Sequence, residues 1–513
     1  MAEPLHQELP LGGVLSLPSG LTSIEGVNHE NGALSQEPPL SAADTQRTHR
    51  KELTMPSQQS NRADESSTGG VASNPSMSRR VVIGGFLGSV VEYYDFLIYG
   101  TAAALVFNKV FFPSSSATAG MLASLATFGV GYLARPIGAI IFGHIGDRAG
   151  RKSALTITLL LMGAATLLIG CLPTYSMIGA AAPAMLVLCR LLQGISAGGE
   201  SVGASLLTME HAPQRKRALY SSWMLNGVAT GSILGTLAFI PISALPEEAL
   251  VSWGWRIPFL ASVITVFITY LVRRGIDESP EFAAKAAVRD HRDRLAARYP
   301  LITLLRSHLA PTILVFVSSL VTCVAPMILV FGLSYATTEH SLDRTSVLAA
   351  ITISQIVALV FHPLFGALAD RVGKKAVFVV GSLLCAGLIF AYLGSIGANS
   401  IIMVFVMTIV LKGVVYAAPN ALWPSFFAEQ FTPDVRYTGV ALATQIGLIL
   451  YGFTPTIAYA LIGDGSAGWL PAALYMGGIC VLAAVAATVS RTAKVGDELK
   501  ATSPVSSTAA PRS

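Results

Sequence analysis

Long apolar segments are the feature that most constrains the fold of this chain. Between residues 81 and 490 the sequence alternates between apolar runs and short charged loops. A membrane-spanning helix needs about 20 apolar residues, and twelve segments are long enough. They are 81–108, 117–145, 153–172, 179–208, 218–242, 254–273, 308–337, 346–369, 376–395, 400–427, 438–463 and 469–490. The sequence therefore predicts an all-α membrane protein with twelve transmembrane helices.

The composition favours a lipid environment over an aqueous one. Hydrophobic residues make up 52% of the chain and charged residues only 12%, whereas soluble domains carry about 25% charged residues. The net charge of +5 does not indicate a nucleic-acid partner, because basic residues beside membrane spans are expected from topology.

A charged turn occurs twice and divides the chain into two related halves. Asp147-Arg148-x-Gly150-Arg151-Lys152 matches Asp370-Arg371-x-Gly373-Lys374-Lys375, nearly half the chain away. Internal repeats of this size are typical of transporter folds. We expect a first six-helix half at 78–273, a central cytoplasmic loop at 274–307 and a second half at 308–490.

The two ends of the chain are predicted to be disordered tails, at 1–77 and 491–513. The first is rich in Ser, Pro, Gly, Gln and Glu, a composition that buries too little apolar surface to fold. No basic stretch followed by an apolar core lies near Met1, so no secretory signal is predicted. Met55 and Met77 are alternative starts.

Lysine and arginine lie mainly in alternate loops, which predicts the orientation. The excess of Lys and Arg marks cytoplasmic loops. The opposite loops hold only Lys109, Arg256 and Arg344, whereas the basic set is Arg79, Arg80, Arg148, Arg151, Lys152, Arg215, Lys216, Arg217, Arg371, Lys374, Lys375, Arg436, Arg491 and Lys494. We expect a multi-pass protein of the cytoplasmic (inner) membrane with both termini in the cytoplasm.

Charged side chains within the first two segments predict a buried pair. Glu92, Asp95 and Tyr99 recur at three- and four-residue steps, so they share one helix face. Arg135 lies at a similar depth, about 18 Å from its helix end at 1.5 Å per residue. We expect Glu92 or Asp95 to pair with Arg135. The pair would serve either to couple ion movement to transport or only as a structural salt bridge.

The fourth segment presents a second polar face. Arg190, Gln193 and Glu200 are spaced for one side of a helix. A guanidinium group suits a substrate carboxylate, and Glu200 is a candidate for the coupled proton if burial favours its neutral form. The alternative is that Arg190 and Glu200 only stabilise the bundle.

The second half contains one deeply placed cation. Lys412 lies in an apolar segment, with Tyr416 and Asn420 following at four-residue steps. Intramembrane charges usually face a cavity, so Lys412 is a candidate anion ligand. Gln355, His362 and Gln445 are weaker candidates in neighbouring segments.

Several ordered motifs resemble the major facilitator superfamily, and in detail its metabolite:proton symporter branch. They are the repeated turn, Glu92-Tyr-Tyr-Asp-Phe96, Arg135-Pro136-Ile-Gly138, Arg190-x2-Gln193-Gly194 and Ser252-Trp-Gly-Trp-Arg-Ile-Pro-Phe259. The resemblance implies a proton-coupled secondary transporter that imports a small polar metabolite by alternating access. We expect an organic acid; a zwitterion such as proline or betaine, or uniport, is the alternative. Asn226 stands where relatives commonly have glutamine and is expected to line the cavity.

The same resemblance implies a cytoplasmic gate built from the turns and from two Glu/Arg pairs. Its expected members are Asp147, Arg148, Arg151, Glu210, Arg217, Asp370, Arg371, Glu429 and Arg436. These residues lie too near the membrane surface to touch a substrate at the midplane.

Other function classes find no support in the sequence. No nucleophile–base set, metal-ligand cluster or selectivity-filter pattern is present, and neither the tail nor the central loop is large enough for a signalling domain. We therefore expect no enzyme activity, cofactor or metal. The expected partners are a small-molecule substrate, protons and the lipid bilayer, with the protein acting as a monomer.

Overall fold

The computed structural model is almost entirely helical. It describes residues 75–113, 116–149, 151–198, 217–274, 308–432, 435–463, 465 and 467–491. Predictions on other residues, including both tails, the central loop, Glu200 and Glu210, lie outside this range.

Twelve long helical segments run through the described residues, in the order predicted. They are α1 (Pro75–Leu105), α2 (Ala117–Leu133 and Arg135–Ala149), α3 (Arg151–Cys171), α4 (Ala181–Gly198), α5 (Arg217–Ser243), α6 (Arg256–Arg274), α7 (Leu309–Glu339), α8 (Arg344–Val372), α9 (Lys374–Gly397), α10 (Ile401–Ala428), α11 (Arg436–Ala460) and α12 (Leu470–Val489). Short helices Phe107–Val110, Tyr175–Ile178 and Glu247–Ala249 lie in the loops.

Hydropathy and length support the membrane assignment. Within the described residues ten helices are long and apolar enough to span a membrane, and an eleventh candidate joins Glu247–Gly254 to Arg256–Leu271 across a 42° bend. The remaining segment, α1, contains the charged residues Glu92 and Asp95. It begins at Pro75, three residues before the predicted boundary, with proline at the first helical position where its missing N–H costs nothing.

The helices pack first within each half and then between halves. In the first half α1 packs on α5, α2 on α4, and α3 on α6; in the second, α9 packs on α12, α8 on α10, and α7 on α11. Contacts between the halves run mainly along α5 with α8 and α2 with α11, and α1 meets α7. This arrangement buries the polar side chains of α1, α2, α8 and α10, among them Glu92, Arg135 and Lys412.

Glycines allow the closest of these helix contacts. A Cβ built on Gly198 of α4 would lie 2.0 Å from the carbonyl oxygen of Arg135 in α2, and one on Gly194 would lie 1.9 Å from that of Gly131. On α5, the same atom at Gly231 would lie 2.3 Å from the Val90 oxygen of α1. Small residues at four-residue spacing thus bring backbones together, as is common in membrane bundles.

Candidate functional site

A small cavity lies between the two halves at the centre of the bundle. Its volume is about 20 Å³, which is room for roughly one water molecule. Five aromatic side chains line it, together with Leu97, Ser232, Pro326, Leu329 and Val330: Tyr93 and Phe96 of α1, Phe128 and Tyr132 of α2, and Tyr451 of α11. In this conformation the halves meet too closely to hold a metabolite there.

Glu92 and Arg135 form a buried ion pair beside this cavity. The Nη2 atom of Arg135 donates to Oε1 of Glu92 at 2.8 Å, and the two side chains are 2% and 3% exposed. The guanidinium carbon lies 4.5 Å from the ring centroid of Phe96 and 4.6 Å from that of Tyr132. The predicted pairing of an acid of α1 with Arg135 is confirmed, and the acid is Glu92.

Asp95 faces another helix of the same half. The hydroxyl of Thr166 in α3 donates to Oδ2 of Asp95 at 2.7 Å. The other carboxylate oxygen, Oδ1, has no hydrogen-bond partner among the described residues. Thr166 carries no signal in the sequence, because a single threonine in an apolar helix usually bonds its own backbone, as this one also does to Met162.

Arg190 is enclosed by its own half. It donates to the carbonyl oxygens of Thr127 at 3.3 Å and Phe128 at 2.8 Å, and to Oε1 of Gln193 at 2.8 Å. Its guanidinium carbon lies 3.9 Å from the ring centroid of Tyr99. The side chain is fully buried, so this conformation offers a substrate no free edge of the guanidinium.

Gln193 joins Arg190 to Asp95. Its amide nitrogen donates to the Thr166 hydroxyl at 2.7 Å, and that hydroxyl donates in turn to Asp95. Tyr99 donates to the hydroxyl of Thr127 at 2.6 Å. The structure therefore brings Asp95, Tyr99, Arg190 and Gln193 into one buried network.

Lys412 forms the centre of a second polar cluster, on α8 and α10. Its Nζ atom donates to Oε1 of Gln355 at 2.7 Å and lies 4.8 Å from the ring centroid of Tyr416. The residue is 4% exposed. Gln355, which the sequence ranks low, is thus the partner of the one deeply buried cation described in this half.

His362 connects this cluster to the first half. Tyr416 donates to Oδ1 of Asn420 at 3.3 Å, and the Asn420 amide nitrogen lies 3.1 Å from Nε2 of His362. The Nδ1 atom of His362 lies 3.2 Å from Oδ1 of Asn226 in α5. These partners favour the tautomer with hydrogen on Nδ1, because the Asn226 oxygen accepts and the Asn420 nitrogen donates.

Gln445 stands apart from both clusters. It is 3% exposed on α11, and its Oε1 atom has no hydrogen-bond partner among the described residues. The place of Gln445 in the substrate pathway therefore stays a prediction.

Comparison with known proteins identifies the family. A model described as "Sugar (and other) transporter" matches residues 81–300, and one for the major facilitator superfamily matches residues 315–511. A shikimate transporter of Escherichia coli is 38% identical over 419 residues, which cover 81% of this chain and 95% of that protein. The chain belongs to the major facilitator superfamily.

Other members of the superfamily are also similar. The inner membrane metabolite transport protein YhjE of Escherichia coli is 37% identical over 72% of this chain and 84% of its own length. A proline/betaine transporter of the same species is 32% identical, over 77% of this chain and 80% of its own. An inward-open structure of the xylose transporter XylE from E. coli aligns with a TM-score of 0.64 at 18% identity, covering 83% of this chain and 99% of that one. The relatives are transporters, not enzymes, and the solved structure shares the twelve-helix fold.

The second copy of the repeated turn lies at the end of the bundle where α8 joins α9 at Gly373, which we call the Gly373 end. Here Asp370 of the turn contacts the first half of the protein. The carboxylate of Asp370 accepts hydrogen bonds from the backbone nitrogens of Ala218 at 3.2 Å and Leu219 at 3.1 Å. These N–H groups belong to the first turn of α5, where a negative charge is favourable. Asp370 therefore links the second half to the first.

Of the other expected gate residues, the structure describes side-chain contacts of Glu429 and Arg436. Glu429 pairs with Lys374 of the turn, whereas Arg436 donates to the carbonyl oxygens of Ala428 at 2.9 Å and Phe431 at 3.3 Å. Glu429 therefore contacts the repeated turn, whereas Arg436 binds backbone carbonyls at and just beyond the end of α10. Arg371 lies in the last turn of α8; the side chains of Asp147, Arg148, Arg151 and Arg217 lie outside the described residues.

A link that the sequence did not indicate lies at the opposite end, where α7 joins α8 at Asp343 (the Asp343 end). Glu247 accepts a hydrogen bond from Arg344 of the second half at 2.5 Å and pairs with Lys109 of the first. The hydroxyls of Ser243 and Thr345 are 3.3 Å apart beside it. Three distant loops meet here, which no local pattern could predict.

No group of three or more His, Cys, Asp or Glu side chains within the described ranges could hold a metal ion. The functional candidates are therefore the two buried polar clusters and the links at the two ends.

Proposed function

We propose that this protein imports a small organic acid together with protons across the cytoplasmic membrane. The observation that carries the proposal is that each half buries charged side chains, Arg135 and Arg190 in the first and Lys412 in the second. Charges at such depth are costly and mark transport pathways. The similarity to a shikimate transporter supports an acid as the cargo.

Transport would proceed by rocking of the two halves around this centre. The Gly373 end, assigned to the cytoplasm by its basic loops, would open when Asp370 leaves the first turn of α5. The Asp343 end would open when Arg344 leaves Glu247. Asp147, Arg148, Arg151, Glu210 and Arg217 remain proposed members of the cytoplasmic gate, and the protein is proposed to act as a monomer with both termini in the cytoplasm.

The coupled proton is assigned to the acidic groups of the first half. Asp95 is the strongest described candidate, because its buried carboxylate accepts one hydrogen bond and has a free oxygen. A proton there would remove a charge that burial disfavours. Glu200 remains a proposed carrier outside the described residues.

A zwitterion is the second candidate cargo. Proline/betaine transporters are among the relatives, and aromatic rings such as those of the cavity can bind a quaternary ammonium group. However, the guanidinium of Arg135 already lies against Phe96 and Tyr132. A second cation beside it would be repelled, so the acid is preferred.

Uptake into proteoliposomes tests the proposal. Labelled shikimate, proline and glycine betaine would be offered with and without an imposed pH gradient, acidic outside. We expect an acid to accumulate only when the gradient is present. Equilibration without accumulation would instead establish uniport, and transport of betaine alone would favour the zwitterion.

A further inference from the structure

The three deeply buried cations of the described bundle differ in how their charge is compensated. Arg135 is paired with Glu92, and Arg190 is held by two carbonyls and Gln193, in a network that also contains Asp95. Lys412 has one neutral acceptor, Gln355, within the described residues. An ammonium group has three donors, and a buried charge without a counter-ion is strongly unfavourable.

The backbone at Lys412 is also irregular, as it is in three other segments of the described residues, Leu250–Gly254, Met327–Gly332 and Tyr335–Glu339. Residues Ile409–Val415 form a π-helical turn inside α10, after which the Tyr416 nitrogen bonds the Leu411 oxygen at 2.8 Å. Such turns are rare and occur frequently at functional sites. The irregularity therefore falls on the segment that carries the uncompensated cation.

The neighbours of Lys412 are neutral hydrogen-bonding groups. Gln355 accepts a hydrogen bond from Nζ, the ring of Tyr416 lies 4.8 Å from it, and Asn420 bonds the Tyr416 hydroxyl one turn further along α10. All three residues are at most 9% exposed. Amides and phenols both donate and accept, so they match the hydroxyl or carbonyl groups of a small acid. Within the described residues no acidic side chain forms a salt bridge with Lys412.

We propose that Lys412 binds the carboxylate of the transported molecule, in a subsite with Gln355, Tyr416 and Asn420. The inference rests on the proposed function and refines it, because it moves carboxylate recognition from Arg190 in the first half to α8 and α10 in the second. The cargo is a small carboxylate; both an organic acid and a betaine-type zwitterion carry this group.

Counterflow exchange in proteoliposomes tests the subsite, with labelled shikimate and glycine betaine as probes and methyl shikimate as a neutral competitor. Lys412→Met should raise the KM for the carboxylate probe about tenfold or more, the effect of losing a charge-assisted hydrogen bond. Competition by methyl shikimate should not change. Leu482→Met is the control for introducing a methionine, since that side chain is 57% exposed on α12.

Gln355→Glu provides a second test that does not require a stable Lys412→Met protein. The new carboxylate would pair with Lys412, preserve the fold and compete with the substrate, so KM should again rise. An unchanged KM in Gln355→Glu, or in a folded Lys412→Met protein, would overturn the subsite while leaving acid transport intact. If the wild-type protein exchanges betaine but not shikimate, and Lys412→Met raises the KM for betaine, the subsite stands and the organic-acid proposal fails. Exchange of neither carboxylate would overturn both.

Discussion

At the scale of single residues, burial turns polar side chains into interdependent pairs. Glu92 and Arg135 are both almost inaccessible to solvent, so each is the main compensation for the charge of the other. Removing one partner of such a pair leaves an unpaired buried charge, which is far more costly than losing the pair as a whole.

Glu92→Gln should therefore reduce the free energy of unfolding by about 3–5 kcal/mol. The double variant Glu92→Gln/Arg135→Met removes both charges and should recover a substantial part of that loss. Thermal unfolding of the purified protein in detergent measures both effects. A double variant as unstable as the sum of the two single variants would contradict a direct pairing.

The start of α8 offers a second prediction at this scale. The side-chain and backbone hydrogen bonds from Ser346 to Asp343, both 2.7 Å, hold the pKa of this carboxyl below its usual range. Asp343 caps the N-terminus of α8, so Asp343→Ala should lower the free energy of unfolding by roughly 1 kcal/mol at neutral pH. Asp343→Ser should retain this cap.

The pH dependence of this cap follows from the sign of the shift. The folded form binds the proton more weakly than the unfolded form, so the stabilisation is complete above the ordinary pKa of about 3.9 and is lost as the pH falls through the lowered value. Unfolding measured at pH 7 and below pH 4 should show the Asp343→Ala difference shrinking in acid. A difference that grows in acid would contradict the assignment.

Which residues meet could be predicted only in part. The depth of Glu92 and Arg135 follows from helical spacing, so their pairing was accessible from sequence. Thr166 and Gln355 were missed or ranked low, because their importance comes from the charged group that the fold places opposite them. The resemblance placed Glu429 and Arg436 in one charge network with the turns, but it did not indicate that Lys374 is the partner of Glu429.

At the scale of helices, glycine spacing determines how closely the backbones approach. Gly194 and Gly198 permit the close contact of α4 with α2. The loops are harder to predict: the meeting of Lys109, Glu247 and Arg344 depends on the tilt of helices far apart in the chain.

Gly198→Ala should separate α4 from α2 and disturb the Arg190 network between them. The added carbon would lie 2.0 Å from the Arg135 oxygen, so we expect a lowered unfolding temperature and reduced transport. Gly478→Ala is the matched control, because nothing lies within 4 Å of its added carbon. Equal stability of the two variants would contradict the packing described here.

At the scale of the whole molecule, α5 and α8 form a continuous seam between the halves. Asp370 contacts α5 at the Gly373 end, His362 contacts Asn226 near the middle, and Thr345 meets Ser243 at the Asp343 end. Alternating access requires the two ends of this seam to part in turn.

A disulfide between Ser243→Cys and Thr345→Cys, in a background without the five native cysteines, should therefore hold the Asp343 end closed. Transport should stop on oxidation and return on reduction, whereas each single variant should remain active. Full transport by the cross-linked protein would show that this end does not open.

The sequence predicted the twelve helices and their order because hydropathy and length are local properties. It could not predict the conformation, since the narrow central cavity depends on how the two halves meet. It also could not place the end contacts, which join residues from different halves.

The most direct test of proton-coupled acid import follows acid uptake and lumenal pH in the same proteoliposomes. With a pH dye trapped inside, adding shikimate should acidify the lumen as labelled shikimate enters, and liposomes without protein should show neither change. An imposed gradient, acidic outside, should increase the final accumulation. Protein-dependent shikimate entry with no lumenal acidification and no response to the gradient would contradict the account.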